Sequence, residues 1–266
     1  MLVHGGNGDF PRIVLAPANP TDCFELGAMS VGFAQRLQGP VYIALDQAVA
    51  QSSATVPPFD LGSVVVEPGS QLASGDLADM DEYRRYKVTA DGSSPWAPAG
   101  VPGGMGLVTG NERNEWGQVS SEARNRVRMM DKRMRKVDGL LASLPKGRIW
   151  GPPRAPIGVI GIGMELGPMQ EASERLAALG VDVTWLNPMT LWPVPAETLE
   201  FIAQRQRVYV VEHNAEGQLA QIMQSVGADA GRLRSVLRYD GLPFAAGEIV
   251  ARILADERDT RVELAS

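Results

Sequence analysis

Between residues 149 and 254 the chain alternates short apolar runs with helical periodicity, and this alternation constrains the fold more than any other feature. Ile157-Gly158-Val159-Ile160-Gly161-Ile162 reads as a buried strand entering a glycine-punctuated turn. Met169, Ala172, Leu176 and Leu179 then recur at three- and four-residue spacing, and Gly180 stands where a helix would stop. Val181 to Leu186 predicts the next strand, Pro195 opens a helix at its first position, and Val208-Tyr209-Val210-Val211 is the most strongly apolar strand of all. Helices over Gln218–Val226 and Glu248–Leu254 complete the series. Repeated βα units of this kind close, with right-handed crossovers, into an open, largely parallel sheet covered on both faces.

The first 120 residues read differently. Ile13-Val14-Leu15-Ala16 is a buried strand bounded by Pro17. Asp22 offers an N-cap with Glu25 three residues on; Met29, Phe33 and Leu37 share one helical face, and Gly39-Pro40 ends it. Val41-Tyr42-Ile43-Ala44-Leu45 predicts a second buried strand. Two strands and a helix are too little for a domain, so the sheet is expected to be partial. From Gln47 to Gly117, Pro57-Pro58, Pro95, Pro98 and Pro102-Gly103-Gly104 mark a long irregular excursion, which in a compact domain is functional, disordered or packed on another chain. The division expected is therefore 1–120, an incomplete domain with a long loop; 121–146, a linker helix; and 147–258, a complete α/β domain. In the helix, Val127, Met130, Met134, Val137, Leu141 and Leu144 form one apolar stripe, and Arg124, Arg126, Arg128, Lys132, Arg133, Arg135 and Lys136 make the rest basic. That face suits either solvent, an acidic partner or a phosphate-bearing ligand.

Few functional classes survive the composition. A net charge of −6 argues against nucleic-acid binding, which needs a surplus of cations. No apolar run approaches a membrane span and no signal peptide is visible, so a cytoplasmic protein is expected. One cysteine, Cys23, and two histidines, His4 and His213, supply no metal-ligand spacing. Two segments can carry chemistry. Gly161-Ile162-Gly163 with Gly167 lies at a strand-to-helix turn, where a dinucleotide pyrophosphate can rest; the full glycine spacing is absent, and Glu165 would repel phosphate, so a tight structural turn is the better reading. Glu212-His213-Asn214-Ala215-Glu216-Gly217-Gln218 follows the strongest strand, at the carboxyl edge of the sheet. Either Glu212 and His213 do acid–base work there, or Asn214 and Gln218 orient a turn whose backbone freedom comes from Gly217.

Taken together, these segments resemble one family. His4-Gly5-Gly6-Asn7-Gly8-Asp9-Phe10-Pro11-Arg12-Ile13-Val14-Leu15-Ala16-Pro17 is similar to the HGxxPRxVLAP segment of the alpha subunits of 2-oxoacid:ferredoxin oxidoreductases, of which 2-oxoglutarate synthase is the commonest. Pro40 to Gln47 resembles PVxxLSDQ. Tyr86–Gly104, Gly110–Gly117, the Lys132-Arg133 to Lys136 helix, "LWPVPAETL", "VVEHNAEGQLA" and "YDGLPFAAGEIV" follow in family order. The resemblance implies a partial thiamine-pyrimidine-binding domain followed by a Rossmann-like domain of the transketolase C-terminal type. It implies conversion of a 2-oxoacid, with 2-oxoglutarate expected, together with CoA and oxidised ferredoxin to acyl-CoA, carbon dioxide and reduced ferredoxin. Thiamine diphosphate with magnesium and an iron–sulfur cluster are then expected mainly on a partner beta subunit, which agrees with the lone cysteine. The family's activating glutamate and its threonine-bearing substrate motifs precede the segment on which this chain opens. The resemblance therefore implies a carboxy-terminal portion, with no catalytic, cofactor-binding or metal residue of its own. Arg113, Glu115, Glu212, His213, Asn214, Gly217 and Gln218 remain as interface or turn residues. Two positions depart from the family: Trp96 stands where many members carry arginine, and Arg113 where they carry histidine. The alternatives are a non-catalytic module that keeps the terminal domain for subunit docking, and an independent dinucleotide-binding domain.

Overall fold

The computed structural model describes residues 1–64 and 66–265. In chain order the elements are β1 (Ile13–Leu15), α1 (Pro20–Leu37), β2 (Val41–Ile43), α2 (Gln47–Gln51), α3 (Ser74–Ala78), α4 (Ala123–Arg135), β3 (Arg148–Trp150), β4 (Ile157–Gly161), α5 (Leu166–Ala178), β5 (Val183–Asn187), β6 (Thr190–Trp192), α6 (Ala196–Ala203), β7 (Arg207–Glu212), α7 (Gln218–Ser225), β8 (Leu233–Leu237) and α8 (Ala246–Ala265). They fall into two compact units: Met1–Ile13 with Gly27–Tyr42 and Phe59–Leu144, and Val14–Leu26 with Ile43–Pro58 and Pro145–Ser266.

The second unit contains the parallel α/β sheet that the sequence predicts. Its strands run β3-β5-β4-β7-β8, with β5, β4, β7 and β8 parallel and β3 antiparallel on the edge. Alternate residues of β4 face opposite ways. Val159 joins Met169, Ala172, Leu176, Trp185, Tyr209, Val211, Ile249 and Ile253 in a core shared with α5 and α8. On the other face, Phe201 of α6 lies where a side chain at Gly158 would stand, so the absent Cβ allows helix and strand to close. A second sheet, ordered β2-β1-β6, pairs Val14 with Trp192 and Leu15 with Thr190 in antiparallel fashion.

Several local expectations are corrected. Helix α1 begins at Pro20, because Asn19 rather than Asp22 is the cap: its Oδ1 accepts from the Asp22 N–H at 2.9 Å. Asp22 is buried instead, accepting from Ala18 N–H at 2.9 Å and from Arg148 Nη1 at 2.8 Å. The face of α1 that packs is Leu26, Phe33 and Leu37, leaving Met29 exposed. Strand β2 is half-exposed, not buried, because it is the edge of its sheet. In α5, Leu179 is exposed: it is the C-cap residue, past the last helical position, and the chain closes with Gly180 N–H on Ala177 O and Val181 N–H on Leu176 O. Pro195 precedes α6 as its cap rather than opening it. The sequence patterns miss β3, β6 and β8 altogether. The first two have three residues each, and β8 carries Arg234 and Ser235 on an edge. Helix α8 runs beyond Leu254 because Glu257 binds Arg207 at 2.6 Å and Tyr209 at 2.9 Å.

The expected linker helix over 121–144 is instead α4, followed by a separate 3-10 segment over Asp138–Ser143. Its packed side is Asn125, Met129 and Lys132, while Val127, Met134 and Leu141 of the apolar stripe are exposed. The reason is electrostatic. Arg126 and Arg133 both bind Glu112 at 2.5 Å, and Arg128 binds Glu115 at 3.0 Å, so the excursion holds the arginines along the helix flank with Arg126 and Arg128 still in solvent.

Candidate functional site

In an open parallel sheet, ligands bind outside the carboxyl ends of the strands where successive connections leave in opposite directions. Here that point lies between β4 and β7: α5 leads from β4 toward β5, and α7 from β7 toward β8. The loops that follow β4 and β7 carry both segments singled out from the sequence.

After β4 the chain turns through Gly163 at φ +58° into a short 3-10 turn, Gly163–Glu165, ahead of α5. Asp46 fills the place an anion would take. Its Oδ2 accepts from the Met164 N–H at 2.7 Å, and its Oδ1 accepts from Val49 N–H at 2.8 Å as the cap of α2. One carboxylate thus satisfies two helix starts, where free N–H groups and the helix dipole favour negative charge. A Cβ at Gly163 would overlap that carboxylate, so the glycine answers both to its left-handed backbone and to Asp46. A dinucleotide pyrophosphate has no room at this turn.

Glu165 is buried, with Oε1 against Nδ1 of His213 and neither carboxyl oxygen hydrogen-bonded among the described residues. Burial, with the nearby Asp46 charge second, pushes its carboxyl up to about 8. Burial also pulls the His213 imidazole down, against the opposing effect of a hydrogen bond with the Leu242 backbone and of Asp46; Arg238 lowers it further and Asp240 raises it. Both groups therefore favour their neutral forms. His213 also lies against the Phe244 ring at 5.2 Å.

Glu212 does not join this pair. It is buried, accepting from Leu219 N–H at 2.6 Å, Ala220 N–H at 3.2 Å and Asn214 Nδ2 at 2.8 Å, which anchors the start of α7. Asn214 Oδ1 gathers the N–H groups of Glu216, Gly217 and Gln218 at 3.1, 2.7 and 3.1 Å, and Gly217 sits at φ +68°. The Gln218 side chain reaches Glu216 at 3.1 Å. Of the motif, Glu212, Asn214, Gly217 and the Gln218 backbone make the turn, while the acid that meets the histidine is Glu165. Sequence reasoning sees Glu165 only as an obstacle to phosphate, because its partner lies in a loop distant in sequence.

In the first unit Arg113 and Glu115 are anchors. Arg113 Nη1 donates to Tyr86 Oη at 2.8 Å, with its guanidinium 4.8 Å from the ring centre. Glu115 is buried, accepting from Val88 N–H at 2.8 Å and from Arg128. Trp96 Nε1 donates to Pro68 O at 3.3 Å. Three of the basic residues of α4, Arg126, Arg128 and Arg133, are thus paired with Glu112 and Glu115. Burial opposes ionisation of Glu112, yet hydrogen bonds from Arg133 and Arg126 outweigh it and hold the carboxyl at about 2.

The implied cofactors do not fit the residues present. Asp46 closes the glycine turn that would cradle phosphate, and no group of three or more His, Cys, Asp or Glu able to hold a metal occurs among the described residues. No step is derived through thiamine diphosphate, magnesium or an iron–sulfur cluster on these side chains. Among the described residues no helix is long and apolar enough to cross a membrane.

The fold is that of an α/β chain with an open, largely parallel sheet, and the comparisons with known proteins narrow it. No family model matches the chain. Its curated relatives are alpha subunits of 2-oxoacid:ferredoxin oxidoreductases, as the sequence resemblance implies. The chain is 26% identical to that subunit from Saccharolobus solfataricus over 95% of its own length and 40% of the relative's. It is 31% identical to the 2-oxoglutarate oxidoreductase subunit KorA of Mycobacterium tuberculosis, over 93% of its own length and 37% of the relative's. A solved 2-oxoglutarate:ferredoxin oxidoreductase from Magnetococcus marinus, with 2-oxoglutarate, coenzyme A and succinyl-CoA bound, superposes at TM-score 0.87 and 30% identity over 96% of this chain and 44% of that one. The chain therefore spans about two-fifths of the length of the relatives it matches, and corresponds to their carboxy-terminal part.

Proposed function

We propose that the chain serves as the carboxy-terminal portion of the alpha subunit of a thiamine-diphosphate-dependent 2-oxoacid:ferredoxin oxidoreductase, acting on 2-oxoglutarate with CoA and passing electrons to ferredoxin. The observation that carries this reading is the likeness, along 96% of the chain, to an oxidoreductase that holds 2-oxoglutarate and CoA. In this reading residues 1–120 are the rear of the pyrimidine-binding domain and 147–258 the transketolase C-terminal-like domain. Thiamine diphosphate, magnesium and the cluster belong to the beta subunit, the complex works in the cytoplasm, and the proton-moving groups on the cofactor come from polypeptide outside residues 1–266.

Internal use of the candidate acids supports that division. Glu212 is committed to the start of α7, Asp46 to two helix starts, and Glu115 to Val88 and Arg128. None is left as a general base. The test is to assay 2-oxoglutarate-dependent dye reduction with this chain and a beta subunit, with and without the amino-terminal part of a related alpha subunit. Turnover is expected only in the three-part mixture. Turnover without the amino-terminal part overturns the division of labour; stable docking on the beta subunit with no turnover in either mixture favours the non-catalytic module.

A further inference from the structure

The first unit holds a cleft of about 400 Å³, within the size range of small-molecule sites, lined among others by Arg36, Glu67, Ser70, Asp91, Ser93 and Lys136. Its chemistry is unbalanced at one point. The Lys136 ammonium reaches a single acceptor, Gln38 O, at a long 3.4 Å, and makes no ion pair among the described residues. A desolvated ammonium with three donors and one marginal acceptor is costly unless an anion meets it. Its cationic neighbours make matters worse: burial first, then repulsion by Arg85 and Arg133, brings Lys136 down to about 8. Lys132, whose ammonium donates to Tyr86 O at 3.1 Å and to Ser94 Oγ, adds to the positive field and is itself drawn down to about 7 by burial, then by Lys136, Arg85 and Arg133. Arg36 adds a second cation on the cleft wall; its Nη2 donates to Gly139 O at 3.3 Å and its Nη1 lies 3.6 Å from Glu67.

We propose that this cleft is a phosphate site, with Lys136 and Arg36 receiving the oxyanion and the acids Glu67 and Asp91 on its rim selecting a protonated one. The cations alone would take any oxyanion. A carboxylate on the rim rejects an anion without a proton and accepts one that can donate, so phosphate, or a phosphate monoester in its singly protonated form, is favoured over sulfate. Asp91 keeps an oxygen for this, since its Oδ1 accepts the Ser93 N–H at 3.1 Å. The Ser93 hydroxyl donates to Arg36 O at 3.0 Å and fixes that wall.

The experiment titrates the full chain with inorganic phosphate, methyl phosphate and sulfate at matched ionic strength, by calorimetry and thermal unfolding. Saturable phosphate binding is expected, at least about tenfold tighter than sulfate, with a rise in Tm that follows occupancy. Methyl phosphate binding more tightly than phosphate identifies an ester as the ligand; equal or weaker binding identifies the free ion. Lys136→Met is expected to abolish the saturable phase while raising Tm without phosphate, because a repelled buried charge is gone; Arg36→Gln, at a part-exposed position, provides the same loss of binding if Lys136→Met fails to fold. The proposal is overturned if phosphate and sulfate act alike, or if either variant binds phosphate as the parent does.

Discussion

At the scale of single residues, the loops after β4 and β7 are held together by buried acids and a histidine whose proton affinities are set by burial and neighbouring charge. Gly163→Ala forces a Cβ into the Asp46 carboxylate at a left-handed backbone position, and should cost about 2–3 kcal/mol in urea unfolding. Asp46→Ala removes the acceptor of two helix-start N–H groups and should cost about 1–2 kcal/mol in the same measurement. Glu165 makes a prediction about pH. Its folded-state value is raised, so the folded chain holds a proton that the unfolded chain releases, and stability falls as pH climbs from the ordinary carboxylate range toward about 8. His213 acts in the opposite sense at lower pH: it is neutral when folded, so stability rises as pH climbs toward its unfolded value. Glu165→Gln should therefore flatten the alkaline side of the stability–pH profile and leave the rise below neutrality in place. A parent profile without a decline between about 5 and 8, once the Glu165→Gln profile is subtracted, would refute the raised Glu165 value.

At the scale of elements, α4 shows how charge decides which side of a helix packs. An apolar stripe and a basic face normally send the stripe inward, but here the buried Glu115 and the partly buried Glu112 draw arginines from the basic face and leave Val127 and Met134 in solvent. The arrangement is a clamp between the helix and the Gly110–Gly117 segment, completed by Asn125 Nδ2 donating to Arg113 O at 3.0 Å. Glu112 is held low, so its contribution is present above the ordinary carboxylate value and is lost as pH falls toward about 2. Glu112→Gln should lower stability by about 1–3 kcal/mol at neutral pH, with the difference from the parent vanishing in acid; amide exchange along α4 should rise in step. Much of the second unit's element order is legible in the sequence, because β4, β5 and β7 are continuous apolar runs and α5 has a clear stripe. The short strands β3 and β6 have no such period. They form because β5 and β1 offer them backbone partners, which composition cannot reveal.

At the scale of the whole molecule, strand β2 is the edge of its sheet, and Ile43 and Leu45 beside it are exposed. Unpaired backbone groups next to apolar side chains invite association. The chain alone should self-associate at micromolar concentration in analytical ultracentrifugation, and Ile43→Lys should suppress this without changing the circular dichroism spectrum. Equal sedimentation of parent and variant as monomers would sink that expectation. The division between sequence and tertiary structure is clearest at the candidate site. The sequence by itself determined the parallel α/β domain, the positions of its carboxyl-edge loops and the family likeness, because apolar periodicity and ordered motifs are local properties. It also held both readings of the Glu212–Gln218 segment open. Only the tertiary structure decided between the uses of its side chains: Glu212 goes to the N–H groups of α7, while His213 meets Glu165 between the loops that follow two adjacent strands, and Asp46 closes the turn where the sequence left room for a phosphate. Those pairings depend on which strands become neighbours and how deeply each carboxyl is removed from water, and neither distance nor desolvation is written along a chain.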